Sequence, residues 1–126
     1  MPAEPMNKHS LRDILRGILL PLFLILVDQL TKFLAVRDLK GAESRVLIPG
    51  LLGFTYVENR GMSFGLLQGQ RVFFLIITVF VCLFLIYVYL KIPDKKRFRA
   101  LSVCILLIFS GALGNFIDRA RQGYVV

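Results

Sequence analysis

The stretch VFFLIITVFVCLFLIYVYL, residues 72–90, decides the fold class of this chain. It is 19 residues long and contains no charged side chain. An α-helix rises about 1.5 Å per residue, so about 20 apolar residues cross the hydrocarbon core of a bilayer. The stretch is therefore predicted to be a transmembrane helix.

Two further apolar segments lie on either side of this helix in the sequence. The first runs from about residue 14 to 36 and contains GILLPLFLILV, and Asp28 and Lys32 interrupt it. No pattern of small residues typical of a cleavage site follows its apolar core, so it is predicted to be an uncleaved helix. The other segment runs from about residue 100 to 117. The sequence thus predicts an all-α membrane protein, a single domain over residues 1–126 with three spans.

The overall composition supports the same fold class. Hydrophobic residues make up 56% of the chain and the mean hydropathy is +0.70, above the usual values for soluble proteins. The net charge of +8 would suggest nucleic acid in a soluble domain, but here the basic residues flank apolar runs, and no nucleic-acid partner is expected. Cys82 and Cys104 lie inside apolar segments and are predicted to be packing thiols.

Basic residues predict the orientation of the chain. Five of them lie in the link KIPDKKRFR, residues 91–99, and Lys8, Arg12 and Arg16 precede the first span. In the longer link over residues 37–71 the basic residues are sparser and are mixed with acidic residues. The positive-inside rule therefore predicts that the N-terminus and residues 91–99 are cytoplasmic, and that residues 37–71 lie on the outer side.

The outer link at residues 37–71 is predicted to be structured. Its segment RVLIPGLLGFTYVENRG is rich in β-branched and aromatic residues, and proline and glycine break it. This pattern is typical of one or two short strands, here expected on the membrane surface.

Polar residues from three separate stretches are predicted to meet at the outer membrane boundary. Asp28 lies about 20 Å along the first span at ~1.5 Å per residue, and Lys32 lies one turn further. The third span runs in the same direction and ends in GALGNFIDR, residues 111–119. Asn59 and Arg60 lie on the outer link. Ionisable groups at membrane depth indicate a functional site.

Other interpretations of the same residues remain open. Asp28 and Lys32, one helical turn apart, could form only a structural ion pair, and Asp118 with Arg119 an interfacial charge pair. Gly61 and Gly65 could be ordinary turn glycines. Asp28 and Asp118 could also form an aspartic dyad or a proton relay of a small transporter, but the sequence gives no distance between them.

Three motifs in order resemble the lipoprotein signal peptidase (signal peptidase II) family. They are DQLTK at residues 28–32, VENRGMSFG at 57–65 and GALGNFIDR at 111–119. The second motif departs from the family pattern N-x-G-A-A-F, because Met62 and Ser63 stand where the family has two alanines. The resemblance covers nearly the whole chain from the first span onward.

The resemblance implies a fold and an activity. The family has four transmembrane helices and a small β-rich cradle on the outer face of the bacterial inner membrane. Its members are intramembrane aspartic endopeptidases that need neither metal nor nucleotide cofactor. They remove the signal peptide of prolipoproteins just before a cysteine that carries a diacylglyceryl group. A monomer in contact with membrane lipids and lipid-modified prolipoproteins is expected.

The resemblance also implies roles for individual residues. The polar lining of the active site is expected to comprise Asn59, Gly61, Asn115 and Arg119. Supporting roles fall to three charged residues: Asp28 and Lys32 orient this lining, and Asp118 positions Arg119. Gly61 is expected to allow close approach of the backbone.

The family's catalytic aspartates do not match any residue of this chain. The first lies in a V-V-D-F stretch and the second in an F-N-x-A-D stretch at the start of the fourth helix. The chain reads RQGYVV up to Val126. The dyad and the fourth helix are therefore expected after Val126, and residues 1–126 alone are expected to be catalytically incomplete. The remaining alternative is a non-catalytic remnant.

Overall fold

The computed structural model describes residues 10–62 and 66–126. In this part of the chain, three helices have the length and apolar composition needed to cross a membrane. The elements in chain order are α1 (Leu11–Leu39), β1 (Arg45–Ile48), β2 (Leu52–Phe54), α2 (Arg71–Lys91), a 3₁₀ turn (Lys96–Phe98) and α3 (Arg99–Gln122). The predicted helical membrane bundle with a small β-rich segment is confirmed. Lys8 and, in the second motif, Ser63, Phe64 and Gly65 lie outside the described residues.

Local sequence explains where the helices begin and end. The Ser10 hydroxyl accepts a hydrogen bond from the Asp13 backbone N–H at 3.4 Å and caps the start of α1. Pro93 follows the end of α2, where a helix cannot continue. Gly123 ends α3 with a left-handed φ of 84°, a conformation that glycine adopts without steric cost.

Helix α3 is the central element of the bundle because it packs against both α1 and α2. One of its faces is buried at every fourth residue, at Leu106, Ser110, Gly114 and Asp118. Most other large apolar side chains of the three helices point outward and are exposed. An outward apolar surface suits a lipid environment, whereas it would be costly in water.

The polar motif at residues 111–119 is helical throughout. The third apolar segment was predicted to end near residue 117, and α3 continues without a break to Gln122. Asn115, Asp118 and Arg119 therefore extend from a regular helix at three- and four-residue spacing, which fixes their relative positions.

Strands β1 and β2 form an antiparallel hairpin between α1 and α2. Gly50 adopts a φ of 72° in the turn after Pro49, and the Leu51 N–H donates to Ile48 O at 3.0 Å. Arg45 pairs with Phe54, and an irregularity in register follows Val46. The strands predicted in this link are thus present, and every residue in them is exposed.

The segment after α3 is tied to the link between β2 and α2. Asn59 and Val125 form an isolated antiparallel bridge, in which each backbone N–H donates to the other residue's carbonyl at 2.8 Å. The Arg71 guanidinium donates to Ala120 O at 2.6 Å. These contacts join the link, the beginning of α2 and the end of α3 at one end of the bundle.

Candidate active site

Lys32 of α1 is the centre of a polar cluster between α1 and α3, here called the Lys32 cluster. Its Nζ lies 3.0 Å from Asp28 Oδ2 and 3.0 Å from Asp118 Oδ2. It also donates to Asn115 Oδ1 at 3.1 Å. An ammonium carries three N–H donors, so each donor has an acceptor. The side chain of Lys32 is 13% exposed and that of Asp118 is 4% exposed, so the ion pair between α1 and α3 is largely shielded from solvent.

The two aspartates of the cluster are linked through this ammonium. The pair predicted within the DQLTK motif is present, but its lysine is shared with Asp118 from another helix. Two carboxylates and one ammonium leave the cluster with a formal charge of −1. In an aspartic dyad the two carboxylates share a proton. Here the Lys32 ammonium lies between the carboxylates of Asp28 and Asp118, so these contacts do not support a dyad of these two residues.

Gln29 is a member of the cluster that the sequence analysis missed. Its Nε2 lies 3.0 Å from Asp28 Oδ2, 3.1 Å from Asp118 Oδ1 and 3.4 Å from Gly114 O. A primary amide has two N–H donors, so it satisfies two of these acceptors at a time. The sequence feature that could have identified Gln29 is a polar amide inside an apolar span, directly next to Asp28.

Gly114 allows α1 and α3 to approach closely at the cluster. A Cβ built on Gly114 would collide with the Asp28 carboxylate. Any larger residue would therefore push Asp28 away from the position in which it meets Lys32 and Gln29. The second glycine of GALGN is thus required by a contact between helices, which sequence alone could not reveal.

Asp118 is bonded to α1 and to the segment after α3. One of its oxygens accepts from Gln29 at 3.1 Å, and the other accepts from the Val126 backbone N–H at 3.2 Å and pairs with Lys32. Asp118 was expected to position Arg119. Among the described residues the hydrogen bonds of Asp118 go to other groups, and its role towards Arg119 stays a prediction.

Arg119 connects α3 to the link before α2. Its Nη2 donates to Gly61 O at 2.9 Å, and its guanidinium carbon lies 4.7 Å from the centre of the Phe74 ring of α2. Its Nε is buried and has no hydrogen-bond partner within residues 10–62 and 66–126. Arg119 as a whole is half-buried, and one of its donors is thus left without an acceptor.

Asn59 shapes the loop in which Gly61 lies. Its Oδ1 accepts from the Gly61 N–H at 2.9 Å, and its Nδ2 donates to Met62 O at 3.2 Å. Gly61 is buried, and a Cβ there would collide with the carbonyl oxygen of Leu66. The close backbone approach expected at Gly61 is therefore present as a contact within the loop itself.

A cleft of about 400 Å³ opens beside the Lys32 cluster. Asp28 and Lys32 line its α1 side, residues 55–57 line the opposite side, and Val126 closes one end. Of the predicted site residues, these two from α1 contribute to the wall of the cleft. The other predicted residues are not part of the lining of this cleft. They lie on α3 or in the loop that contains Gly61.

A second, more exposed polar cluster lies at the same end of the bundle. Glu58 pairs with Lys40 at 2.9 Å and with Arg60 at 3.3 Å, and it accepts from the Tyr56 hydroxyl at 3.2 Å. The Tyr124 ring lies 5.1 Å from the Arg60 guanidinium carbon and 5.9 Å from Lys40 Nζ. These contacts attach the end of α1 to the outer link and to the segment after α3.

The groups of this second cluster shift one another's pKa values. The hydrogen bond from Lys40 lowers the pKa of Glu58 to about 2. The hydrogen bond to Glu58 in turn raises the pKa of Lys40 above its ordinary value. Burial raises the pKa of Tyr56 to about 12, and its hydrogen bonds to Tyr124 and Glu58 add to the effect. At neutral pH these three groups therefore form one charged pair with a neutral phenol beside it.

Comparison with known proteins identifies the family of this chain. The family model for signal peptidase (SPase) II matches residues 20–126. The lipoprotein signal peptidase of Caldanaerobacter subterraneus subsp. tengcongensis is 42% identical over 110 residues, which cover 87% of this chain and 74% of that protein. The lipoprotein signal peptidase of Enterococcus faecalis is 40% identical and covers 86% of this chain and 66% of its own length.

A solved structure has the same fold. A bacterial membrane enzyme determined by the in meso method at 2.3 Å resolution superimposes with a TM-score of 0.79 at 35% identity. The match covers 97% of this chain and 71% of that one. This chain thus spans about two thirds to three quarters of the length of these relatives. The family match extends over most of the chain and includes the whole Lys32 cluster, and the chain belongs to the signal peptidase II family.

Proposed function

We propose that this chain forms the polar side of the active site of an intramembrane aspartic endopeptidase. The proposed substrates are prolipoproteins that carry a diacylglyceryl group on cysteine. The observation that carries the proposal is the Lys32 cluster, a buried network of charges inside an apolar bundle whose sequence matches signal peptidase II. Charges at membrane depth are costly, so a network of this kind points to chemistry at the site.

The residues of the chain would act as positioning groups and hydrogen-bond donors. Lys32 holds Asp28, Asn115 and Asp118 in fixed positions, so the wall of the cleft is preorganised. Arg119 holds the loop of Gly61 through its Nη2, and its buried Nε has no hydrogen-bond partner among the described residues. Donors held in advance can bind a substrate carbonyl or stabilise the oxyanion that forms on it.

The segment at Val125 and Val126 supports a place for the proposed catalytic aspartates. Val125 is bridged to Asn59, and the Val126 N–H is bonded to Asp118. Val126 also lines the cleft. In the family pattern V-V-D-F, an aspartate following these valines would enter the same cleft. It would share a water with a second aspartate, one ionised and one protonated, and the water would attack the scissile carbonyl.

The proposed setting is the bacterial inner membrane, with the Lys32 cluster at the outer face and the N-terminus in the cytoplasm. The basic link at residues 91–99 supports this orientation, because basic segments stay on the cytoplasmic side. A monomer is proposed, since the cluster is assembled from one copy of the chain.

A cleavage assay tests the proposal. A purified chain ending at Val126 is compared with the product of the same gene carried through any codons that follow, both in detergent with a lipidated prolipoprotein. We expect processing only by the longer product, and none when the lipidated cysteine of the substrate is changed to serine. Cleavage by residues 1–126 alone would contradict the placement of the dyad. Equal cleavage of both substrates would contradict the proposed substrate class.

A further inference from the structure

The end of the bundle opposite the Lys32 cluster holds a charged cleft that the proposed function does not use. The cleft has a volume of about 570 Å³ and is lined by Arg12, Asp13 and Arg16 of α1, with Asp94 and Arg99 across from them. Lys95 and Ser102 line a narrower extension of the same cleft. Four cationic and two anionic side chains therefore line it, which leaves a net charge of +2.

Most of the cationic groups in this cleft are unpaired. Arg16 lies 3.6 Å from Asp13, and Asp13 also accepts from the Ser10 hydroxyl at 2.6 Å. By contrast, the side chains of Arg12, Lys95 and Arg99 make no ion pair or hydrogen bond with the described part of the chain. Arg12 and Arg99 line the wider part of the cleft, and Arg99 and Lys95 line its extension. Cations without acceptors along one cleft favour an anionic ligand.

An apolar cavity of about 250 Å³ lies next to the narrower extension of this cleft, and the two share Tyr89 as a lining residue. Its walls come from all three helices, at Ile14 and Ile18, Leu85 and Ile86, and Ile105 and Leu106. This wall has no charged side chain, so the cavity suits a hydrocarbon ligand.

Tyr89 marks the boundary between the cleft and the cavity. Its side chain lines the cavity and the narrower extension of the cleft, and its hydroxyl donates to the Asp13 carbonyl at 2.9 Å. Its ring lies against Gly17, where a Cβ would come within 2.9 Å of Cε1. Tyrosine presents a polar tip and an apolar body, as is common where a membrane protein passes from headgroup to hydrocarbon.

We propose that the cleft and the cavity together bind one anionic phospholipid. Its phosphate lies among Arg12, Lys95 and Arg99, and one acyl chain enters the apolar cavity past Tyr89. Arginine pairs well with phosphate oxygens, and basic pockets between transmembrane helices hold anionic headgroups. A free phosphate would leave the apolar cavity unused, and an apolar protein segment would leave the three cations unpaired. The phospholipid is the ligand that matches both parts.

Native mass spectrometry of the intact chain tests this site. The chain is released from detergent in the presence of phosphatidylglycerol or of phosphatidylcholine with identical acyl chains. We expect one phosphatidylglycerol to be retained at about tenfold lower lipid concentration, because each nearby Lys or Arg strengthens binding of an anionic headgroup several-fold. The variant R12Q/R99Q should lose this preference.

The matched control is K96Q/R97Q, which removes the same charge from the neighbouring 3₁₀ turn, outside the cleft lining. It should keep the preference for phosphatidylglycerol. Lys95→Gln gives a second test on a loop residue, and far-UV circular dichroism verifies that each variant keeps its helices. An equal loss in both double variants would indicate diffuse attraction and would overturn the site.

A headgroup without acyl chains tests the role of the cavity. Glycerophosphoglycerol carries the same phosphate and should displace the lipid only at a concentration more than about tenfold higher, since it gains nothing from burial of apolar surface. Displacement at equal concentration would show that the phosphate alone is bound, and equal retention of the two phospholipids would show that charge plays no part. Either result would refute the proposal.

Discussion

The two ends of the bundle use charged side chains in opposite ways. At the Lys32 cluster, each ammonium proton has an acceptor, and the carboxylate of Asp118 is almost completely buried. At the other end, Arg12 and Arg99 line an open cleft and have no partner in the described part of the chain. The same three helices thus hold one lysine whose three donors all have acceptors and one group of cations without partners among the described residues.

This difference teaches how to distinguish structural from ligand-binding charges in a membrane protein. A buried charge that loses its partner is costly, so the Lys32 cluster should resist substitution. An exposed cation contributes little to folding, so the arginines at the other end can be changed without loss of structure. Substitutions at both ends therefore measure the contrast directly.

Lys32→Met should have the largest effect on stability. It leaves Asp28 and Asp118 facing each other without the ammonium that both contact. Removing one partner of a buried ion pair typically costs about 3–5 kcal/mol, so we expect a large fall in Tm in a thermal scan followed by circular dichroism. The control is Lys96→Met, an exposed lysine of the 3₁₀ turn, which should change stability by less than about 0.5 kcal/mol. Similar Tm values for the two variants would remove the contrast between the ends.

Gly114→Ala should have an intermediate effect. Its methyl group would meet the Asp28 carboxylate, and forcing atoms into a packed contact costs about 1–3 kcal/mol. Gly111→Ala is the matched control on the same helix, because nothing lies within 4 Å of a Cβ there. Alanine at that position should be neutral or stabilising by up to about 1 kcal/mol, as expected from helix propensity. If both variants unfold at the same temperature in the thermal scan, Gly114 is not a contact point between α1 and α3.

Acid should weaken the ion pair between Glu58 and Lys40, and this should be the smallest of the three effects on stability. The pKa of Glu58 is lowered from 4.5 to about 2, so its ion pair stabilises the folded state above pH 4.5. This stabilisation should be lost progressively as the pH falls from 4.5 towards 2. Hydrogen–deuterium exchange of residues 52–60, corrected for the intrinsic dependence on pH, should show faster opening over that range. Glu58→Gln should abolish the change, and an unchanged pH response in this variant would assign the effect to another group.

The motifs in the sequence predicted the region of the site better than its contacts. The motifs predicted that polar residues of α1 and α3 come together. In the structure the Lys32 ammonium lies within hydrogen-bonding distance of Asp28, Asn115 and Asp118. Which atoms bond could not be predicted, because that depends on the rotation of α3 against α1. For this reason the sequence could not show that the Asp118 carboxylate contacts Lys32 and Gln29.

Other members of the site gave only weak signals in the sequence. Gln29 looked like one polar residue in an apolar span, and Gly114 looked like a small residue of a motif. Val125 and Val126 carry no chemical group that would attract attention, and they contribute through backbone hydrogen bonds. Such contacts depend on how the chain returns to the bundle after α3, which local patterns do not encode.

The sequence by itself determined that this protein is a bundle of apolar helices with polar residues near one end, because a run of uncharged residues of membrane length permits few other structures. It also determined the family, through three motifs in order. Only the tertiary structure decided that one lysine serves two carboxylates from different helices, and that three cations at the other end surround an open cleft. Those features arise from the angle and rotation at which the helices pack, which depend on contacts between residues about 80 positions apart in the chain.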